Sequence, residues 1–207
     1  LRLLLGLARP DSGSITFDGQ TLDTGNRAFM RDFRREAQIV FQDPYASLDP
    51  RQTIFSIIAE PLRSLKIEGD HRQMVAEALE AVGLDRDAAT RYPHQFSGGQ
   101  RQRIAIARAI VARPPFLLAD EAVSALDLTT RTRIVDLLAR LSAEMTLLFV
   151  SHDIGVVAAL CRRIVILEKG RIVEQGETAK ILKNPQHPYT QRLLASVPRL
   201  SVNEISS

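Results

Sequence analysis

Three short apolar runs, at 37–41, 116–119 and 146–150, have the bounded, β-rich look of buried strands. The segments between them carry apolar residues at helical spacing. Residues 101–112 read as a helix stopped by Pro114-Pro115, and 130–141 as one with its apolar stripe at Ile134, Leu137, Leu138 and Leu141. Strand alternating with helix implies a parallel sheet. Each run ends in a polar group: Gln42 closes the first, Asp120-Glu121 the second and Ser151-His152 the third. Candidate ligands therefore converge on the C-terminal edge of the sheet, where open α/β folds bind theirs.

Elsewhere the pattern changes. Between Asp43 and Arg113 it predicts helices without strands, at 53–65 and at 71–82, the latter ended by Gly83. This is a helical insertion that carries Ser97 to Gln100 away from the sheet. Residues 14–17 with the Asp18-Gly19 turn predict part of a small antiparallel sheet, and 163–167 with 171–174 a hairpin across Lys169-Gly170. Leu1-Arg2-Leu3-Leu4-Leu5 runs into Gly6 as a helix runs into its C-terminal glycine, so residue 1 is expected inside a helix that begins upstream. The tail from Asn184 contains three prolines and closes on a polar segment, 201–207, expected to be mobile.

Composition narrows the class. With 207 residues, 45% hydrophobic and 25% charged, the chain has an ordinary globular balance, large enough for a core. Its apolar stretches are far short of a membrane span, and no signal segment opens it. A single cysteine, Cys161, excludes an internal disulfide or a cysteine metal cluster and is read as a buried small apolar residue. A net charge of +3 with scattered arginines is too mild to argue for nucleic acid.

Candidate chemistry rests on two motifs. In Ser97-Gly98-Gly99-Gln100 the glycines let the backbone approach an anion, Ser97 offers a hydroxyl, and the helix that follows presents free amides and its dipole to phosphate. Asp120 at a strand end suits Mg²⁺, and Glu121 suits polarising a water for in-line attack on a γ-phosphorus. The plain alternatives stand beside these readings. Asp120-Glu121 is equally a helix N-cap pair, Ser97-Gly98-Gly99 a loop and cap, His152 a satisfied histidine, and Gln42 the end of a strand. Arg101, Arg103 and Arg108 read as a solvated helix face, or as phosphate-binding across a dimer. His71, His94 and His187 lack partners at metal-ligand spacing. The glycine-rich loop G-x-x-x-x-G-K-[ST] is not in the sequence, since none of the four lysines, Lys66, Lys169, Lys180 and Lys183, follows a glycine.

With these residues in place, the chain resembles the nucleotide-binding subunit of an ABC transporter along nearly its whole length. Phe96-Ser97-Gly98-Gly99-Gln100 is similar to the family's signature, and Phe116-Leu117-Leu118-Ala119-Asp120-Glu121 to its Walker B strand. Ser124-Ala125-Leu126-Asp127 resembles the D-loop, Gln42 the Q-loop glutamine and His152 the switch histidine. The stretches from Val40 through Asp43-Pro44-Tyr45-Ala46-Ser47 to Pro50, and Asn184-Pro185-Gln186-His187-Pro188-Tyr189-Thr190, are similar to those of oligopeptide, dipeptide and nickel importers. Departures are Phe96 where leucine is usual, Ala122-Val123 where many members have Pro-Thr, and the missing P-loop and adenine-stacking aromatic.

The resemblance implies an α/β, RecA-like P-loop NTPase core with a helical subdomain and a small antiparallel part, N-terminally truncated. Its expected divisions are 1–42 and 113–183 for the core, 43–112 for the helical subdomain and 184–207 for a C-terminal extension. It implies ATP and Mg²⁺ as cofactors, held with Asp120 and Gln42 at the metal. Glu121, His152 and Gln42 would be catalytic, Ser97, Gly98, Gly99 and Gln100 would contact nucleotide in trans, and Asp127 would organise the opposite site. The implied partners are a second ATPase subunit in a head-to-tail dimer, transmembrane permease subunits and, indirectly, a solute-binding protein, at the cytoplasmic face of the membrane. No nucleic-acid partner is implied. Three functions are compatible with the resemblance: an ATPase subunit energising peptide or small-solute uptake, inactive alone without the P-loop; a non-transport ATPase of the same family serving DNA repair or translation; and a docking module without catalysis.

Overall fold

A computed structural model describes residues 1–43 and 47–195, which fall into two compact units, Leu1–Val150 and Ser151–Ser207. Pro44, Tyr45 and Ala46 of the importer-like stretch, and the tail from residue 196 with its polar end, lie outside the described residues.

The first unit opens on a helix-like turn. Leu5 N–H donates to Leu1 O, Gly6 N–H to Leu3 O and Leu7 N–H to Arg2 O, with Gly6 at φ +64°. These bonds form the left-handed glycine closure of a helix end that the leucine run predicts. Strands β1 (Thr16–Phe17) and β2 (Gln20–Thr21) pair antiparallel around Asp18 and Gly19, both at positive φ, as a tight hairpin requires.

Helix α1 (Arg27–Glu36) follows, capped by Asn26, whose side-chain oxygen accepts from the amides of Ala28 and Phe29. The hydrophobic pattern above did not single it out, because four arginines mask its narrow buried face of Met30 and Phe33. That face meets Phe17, whose ring lies edge-on to Phe33 at 5.0 Å and to Phe116 at 6.4 Å.

The central layer is a three-stranded parallel sheet in the order β3 (Ala37–Val40), β4 (Phe116–Asp120), β5 (Thr146–Val150). Its register sets Val40 beside Ala119 and Asp120 beside Val150, so the three C-terminal ends lie level. On β4, Leu117, Leu118 and Ala119 are wholly buried, as expected of a middle strand covered on both faces.

The insertion between β3 and β4 is helical, as predicted, but its first helix is divided. Helix α2 (Ile54–Ile58), capped by the Thr53 hydroxyl, gives way at Ala59 to α3 (Glu60–Ser64). Pro61 explains the break, since it has no N–H and is tolerated only in the first turn of a helix. Asp70 then caps α4 (His71–Ala81), and Gly83 at φ +71° closes it, with Leu84 N–H reaching Leu79 O.

Helix α5 (Gly98–Ile110) is the pillar of the insertion, buried at Gln102, Ile104–Ala107 and Ala109–Ile110, and it rests on β3 as well as on α2 and α4. It begins three residues earlier than the apolar periodicity suggests, because its start is set by the Ser97 cap and not by an apolar residue. Helix α6 (Leu128–Leu141) buries Ile134, Leu137 and Leu138, as its stripe predicts.

The arginines of α5 require a correction. None serves as a simple solvated face: Arg101 Nε donates to the carbonyls of Pro93 (2.8 Å) and Phe96 (3.0 Å), Arg103 to Gly83 O (3.3 Å), and Arg108 to Ser47 O (2.6 Å). Carbonyls of the turns around α5 take up these donors, the Pro93 oxygen in addition to the Phe96 amide. Desolvation lowers the pKa of Arg108, so its bond to Ser47 stands in place of lost hydration.

In the second unit, Asp153 caps α7 (Ile154–Leu160). A hairpin of β6 (Arg163–Glu168) and β7 (Arg171–Glu177) turns through Lys169 and Gly170, both at positive φ. Cys161, expected to be buried, is half-exposed at the end of α7, where partial desolvation raises its thiol pKa. Helices α8 (Thr178–Lys183) and α9 (Pro188–Ala195) complete the described chain.

The approach to α9 is held by one carboxylate. Glu174 accepts from the amides of Gln186 (2.9 Å) and His187 (3.2 Å), and these bonds, Gln186 foremost, lower its pKa. A depressed carboxylate pKa contributes stability that is present above the unfolded value and lost as pH falls through the folded one. Acidification below the ordinary glutamate range is therefore expected to release 186–195 first, seen as faster amide hydrogen exchange there, and Glu174→Gln should remove that pH dependence. Unchanged protection in 186–195 across the acid range would contradict the clamp.

Candidate functional site

The end of β4 carries two of the predicted site residues, Asp120 and Glu121. Immediately after Asp120 the backbone turns left-handed at Glu121, φ +47°, a conformation uncommon for a residue with a side chain. The turn is held by the Glu121 amide donating to Val150 O (2.9 Å) and by the Ser124 amide and hydroxyl donating to Glu121 O (3.1 and 3.0 Å). Two buried residues, Ala122 and Val123, anchor the turn from beneath. Asp120 and Glu121 thus end a strand and do not cap a helix. The N-cap reading of this pair is set aside, since α6 is capped by Asp127.

Gln42, two residues beyond β3, comes to the same place. Its amide nitrogen lies 3.5 Å from Glu121 Oε2 and 3.5 Å from Ser124 Oγ, at the outer limit of hydrogen bonding. Gln42, Asp120 and Glu121 are therefore gathered at one edge, with Ser124 as a further member. In the sequence Ser124 stands out only as part of the Ser-Ala-Leu-Asp string. Its spacing of three from Glu121, where a hydroxyl can return to the carbonyl of a tight turn, was the available signal.

The donors at this edge suit a divalent cation. Asp120 supplies a carboxylate and Gln42 an amide oxygen, both hard ligands, from adjacent strands. Among the described residues no group of three or more His, Cys, Asp or Glu forms a protein-only cage. Mg²⁺ binds with few protein ligands and takes the rest from phosphate and water, so this donor set fits it.

A second cluster forms around the start of α5. Ser97 and Gln100 cap each other reciprocally: Gln100 N–H donates to Ser97 Oγ (3.3 Å) and Ser97 N–H to Gln100 Oε1 (3.0 Å). Gly98 and Gly99 are then the first two helical residues, whose amides have no intrahelical acceptor. The capping reading of Ser97 is correct, and it is the same geometry that turns those amides outward. Gly99 abuts Thr130 of α6, and Thr130 in turn bonds Asp127. Asp127 is exposed, and its carboxyl is held below the usual range by the Thr130 hydroxyl and then by the Thr130 amide.

His152 belongs to the second unit. It is exposed and lies between Ser151, whose hydroxyl accepts from Asp153 N–H (3.0 Å), and the Asp153 cap of α7. The remaining histidines make local contacts: His71 Nε2 with Ile67 O (2.7 Å), His94 stacked on Tyr92, and His187 Nδ1 accepting from Tyr189 N–H (3.2 Å).

Comparison with known proteins accords with this geometry. A family model described as "ABC transporter" matches residues 1–124, and one described as "Oligopeptide/dipeptide transporter, C-terminal region" matches 173–205. The chain is 50% identical over 201 residues to the "Glutathione import ATP-binding protein GsiA" of Salmonella typhimurium and of Escherichia coli, covering 95% of this chain and 32% of each relative. It thus spans about a third of the length of the curated relatives it matches. Among solved structures, the ATP-binding cassette MJ0796, a dimer in a post-hydrolysis state with ADP and Pi, superposes with a TM-score of 0.73 at 30% identity, over 86% of this chain and 78% of that one. The protein cbiO1 from Clostridium perfringens, part of the complex cbiONQ, superposes with a TM-score of 0.77 at 26% identity, over 96% and 78%.

Proposed function

The chain belongs to the ABC transporter family, with its P-loop NTPase fold, and from that premise we propose that it is part of an ATPase subunit energising import of a short peptide or a related small solute. The observation that carries this reading is the gathering of Gln42, Asp120 and Glu121 at one strand edge. The match of 173–205 to an oligopeptide/dipeptide transporter region favours transport over a repair or translation role. Half identity to glutathione import proteins makes that tripeptide the first solute to try.

In the mechanism, Asp120 and Gln42 would hold Mg²⁺, which when bound would neutralise phosphate charge. Glu121 accepts a proton from, or orients, the water attacking the γ-phosphorus, and Gln42 keeps its carboxylate aimed. His152 contacts the γ-phosphate. Ser97, Gly98, Gly99 and Gln100 face nucleotide held by a second subunit, and Asp127 reaches the opposite site, so dimer closure completes each centre. The segment 43–112 acts as the helical subdomain between the core parts 1–42 and 113–183, and 184–207 as the extension. Membrane association runs through permease subunits; among the described residues no helix is long and apolar enough to cross a membrane.

The test is uptake. A strain lacking the full-length gene should lose accumulation of labelled glutathione or dipeptide and regain it with the wild-type gene but not with one encoding Asp120→Asn. Uptake untouched by the deletion, or a purified full-length protein that fails to hydrolyse ATP, would refute the proposal.

A further inference from the structure

We infer that Thr130 is a positioning residue that fastens the signature turn and the D-loop aspartate into one rigid surface, an inference that rests on the ATPase reading above. Thr130 is the third residue of α6, half-buried, and outside every motif identified in the sequence. Its two branches face two different functional elements. The amide donates to the Asp127 carboxylate at 3.0 Å and the hydroxyl bonds the same carboxylate. The methyl lies against Gly99, so closely that a side-chain carbon added at Gly99 would overlap Thr130 Cγ2.

A β-branched side chain is stiff at χ1, so the hydroxyl and the methyl cannot be repositioned independently. Asp127 and Gly99, 28 residues apart in sequence by way of β4 and its turn, are thus held in one relation by a single side chain. If both face the partner subunit's nucleotide, Thr130 presents them to it together. No ordering of one against the other is then needed at closure.

The contact is a size match, which makes it testable by exchange. Gly99→Ala should push α5 and α6 apart. Thr130→Ser removes only the offending methyl, leaving Thr130 Oγ1 and Cβ at 3.4 and 3.5 Å from the added carbon, ordinary contacts. In the full-length protein, Gly99→Ala is expected to lower kcat/KM for ATP about 10²-fold by sub-ångström to ångström misplacement. Adding Thr130→Ser should recover about tenfold of that loss, a recovery of this order being the signature of relieved misplacement. Thr130→Val, which keeps the methyl and drops the hydroxyl, should lower kcat while leaving MgATP-driven dimerisation in a Glu121→Gln background intact.

A double variant as impaired as Gly99→Ala alone would overturn the role of the methyl, and an unchanged kcat in Thr130→Val that of the hydroxyl. Wild-type protein that neither dimerises with MgATP nor hydrolyses it would overturn the ATPase reading itself, and this proposal with it. The thermal midpoint of each variant separates misplacement from simple destabilisation: with every variant folded at the assay temperature, a rescue of kcat/KM larger than the shift of the midpoint accounts for is the expected pattern, and rescue that merely follows the midpoint would overturn a positioning role.

Discussion

Glu121→Gln in the full-length protein is expected to lower kcat for ATP by about 10²–10⁴-fold, the range supplied by a positioned general base. It should leave MgATP-driven dimerisation intact. The amide keeps the size of the carboxylate, preserves the left-handed turn and the Val150 bond, which are backbone features, and retains an oxygen that can accept from Gln42. What it removes is the ability to accept a proton. Loss in kcat with nucleotide-dependent dimerisation retained would place Glu121 in the chemical step. Loss of dimerisation as well would make it a residue of binding, and normal turnover would remove it from the mechanism.

The second large effect is on stability. Leu118→Ala is expected to cost about 2–5 kcal/mol, the range for truncating a wholly buried leucine where the surroundings cannot collapse. Leu118 is fully buried at the middle of β4, paired with Ile39 on one side and Leu148 on the other, and no edge is free to relax into the space. Urea unfolding of the full-length protein should show a lower midpoint with little change in slope. Because β4 delivers Asp120 and Glu121 two and three residues later, turnover should fall more steeply with temperature than in the wild type. A change under about 1 kcal/mol would mean that β4 is less tightly enclosed than its burial indicates.

Much of this architecture was legible because each strand ends in a residue whose chemistry differs abruptly from the run before it. Gln42, Asp120 and the Ser151-His152 pair mark three strand ends, and the fold sets β3, β4 and β5 side by side with those ends level. The hairpin turns were equally plain, since Asp-Gly and Lys-Gly place a glycine where positive φ is needed.

What was hidden depended on the third dimension. Helix α1 was passed over although Asn26, Phe29, Met30 and Phe33 have the spacing of a capped amphipathic helix, because its arginine content dominated the reading. The break at Pro61 was present in the sequence and outweighed by the apolar stretch before it. Arg108 looks like any exposed basic residue until the fold brings Ser47, 61 residues away, beneath it. Thr130 had no motif to announce it, and its meaning comes only from the absence of a side chain at Gly99.

The left-handed backbone at Glu121 has a consequence for anyone seeking a hardier variant of this protein. For a residue with a β-carbon that conformation costs on the order of 1–2 kcal/mol, which glycine largely avoids and asparagine tolerates. With Glu121 in the role proposed above, selection on heat resistance alone would push position 121 toward Gly or Asn and accumulate sturdier, inert proteins. A stabilisation campaign on this fold has to hold that position fixed and seek its gains elsewhere, because here the demands of folding and of turnover point in opposite directions.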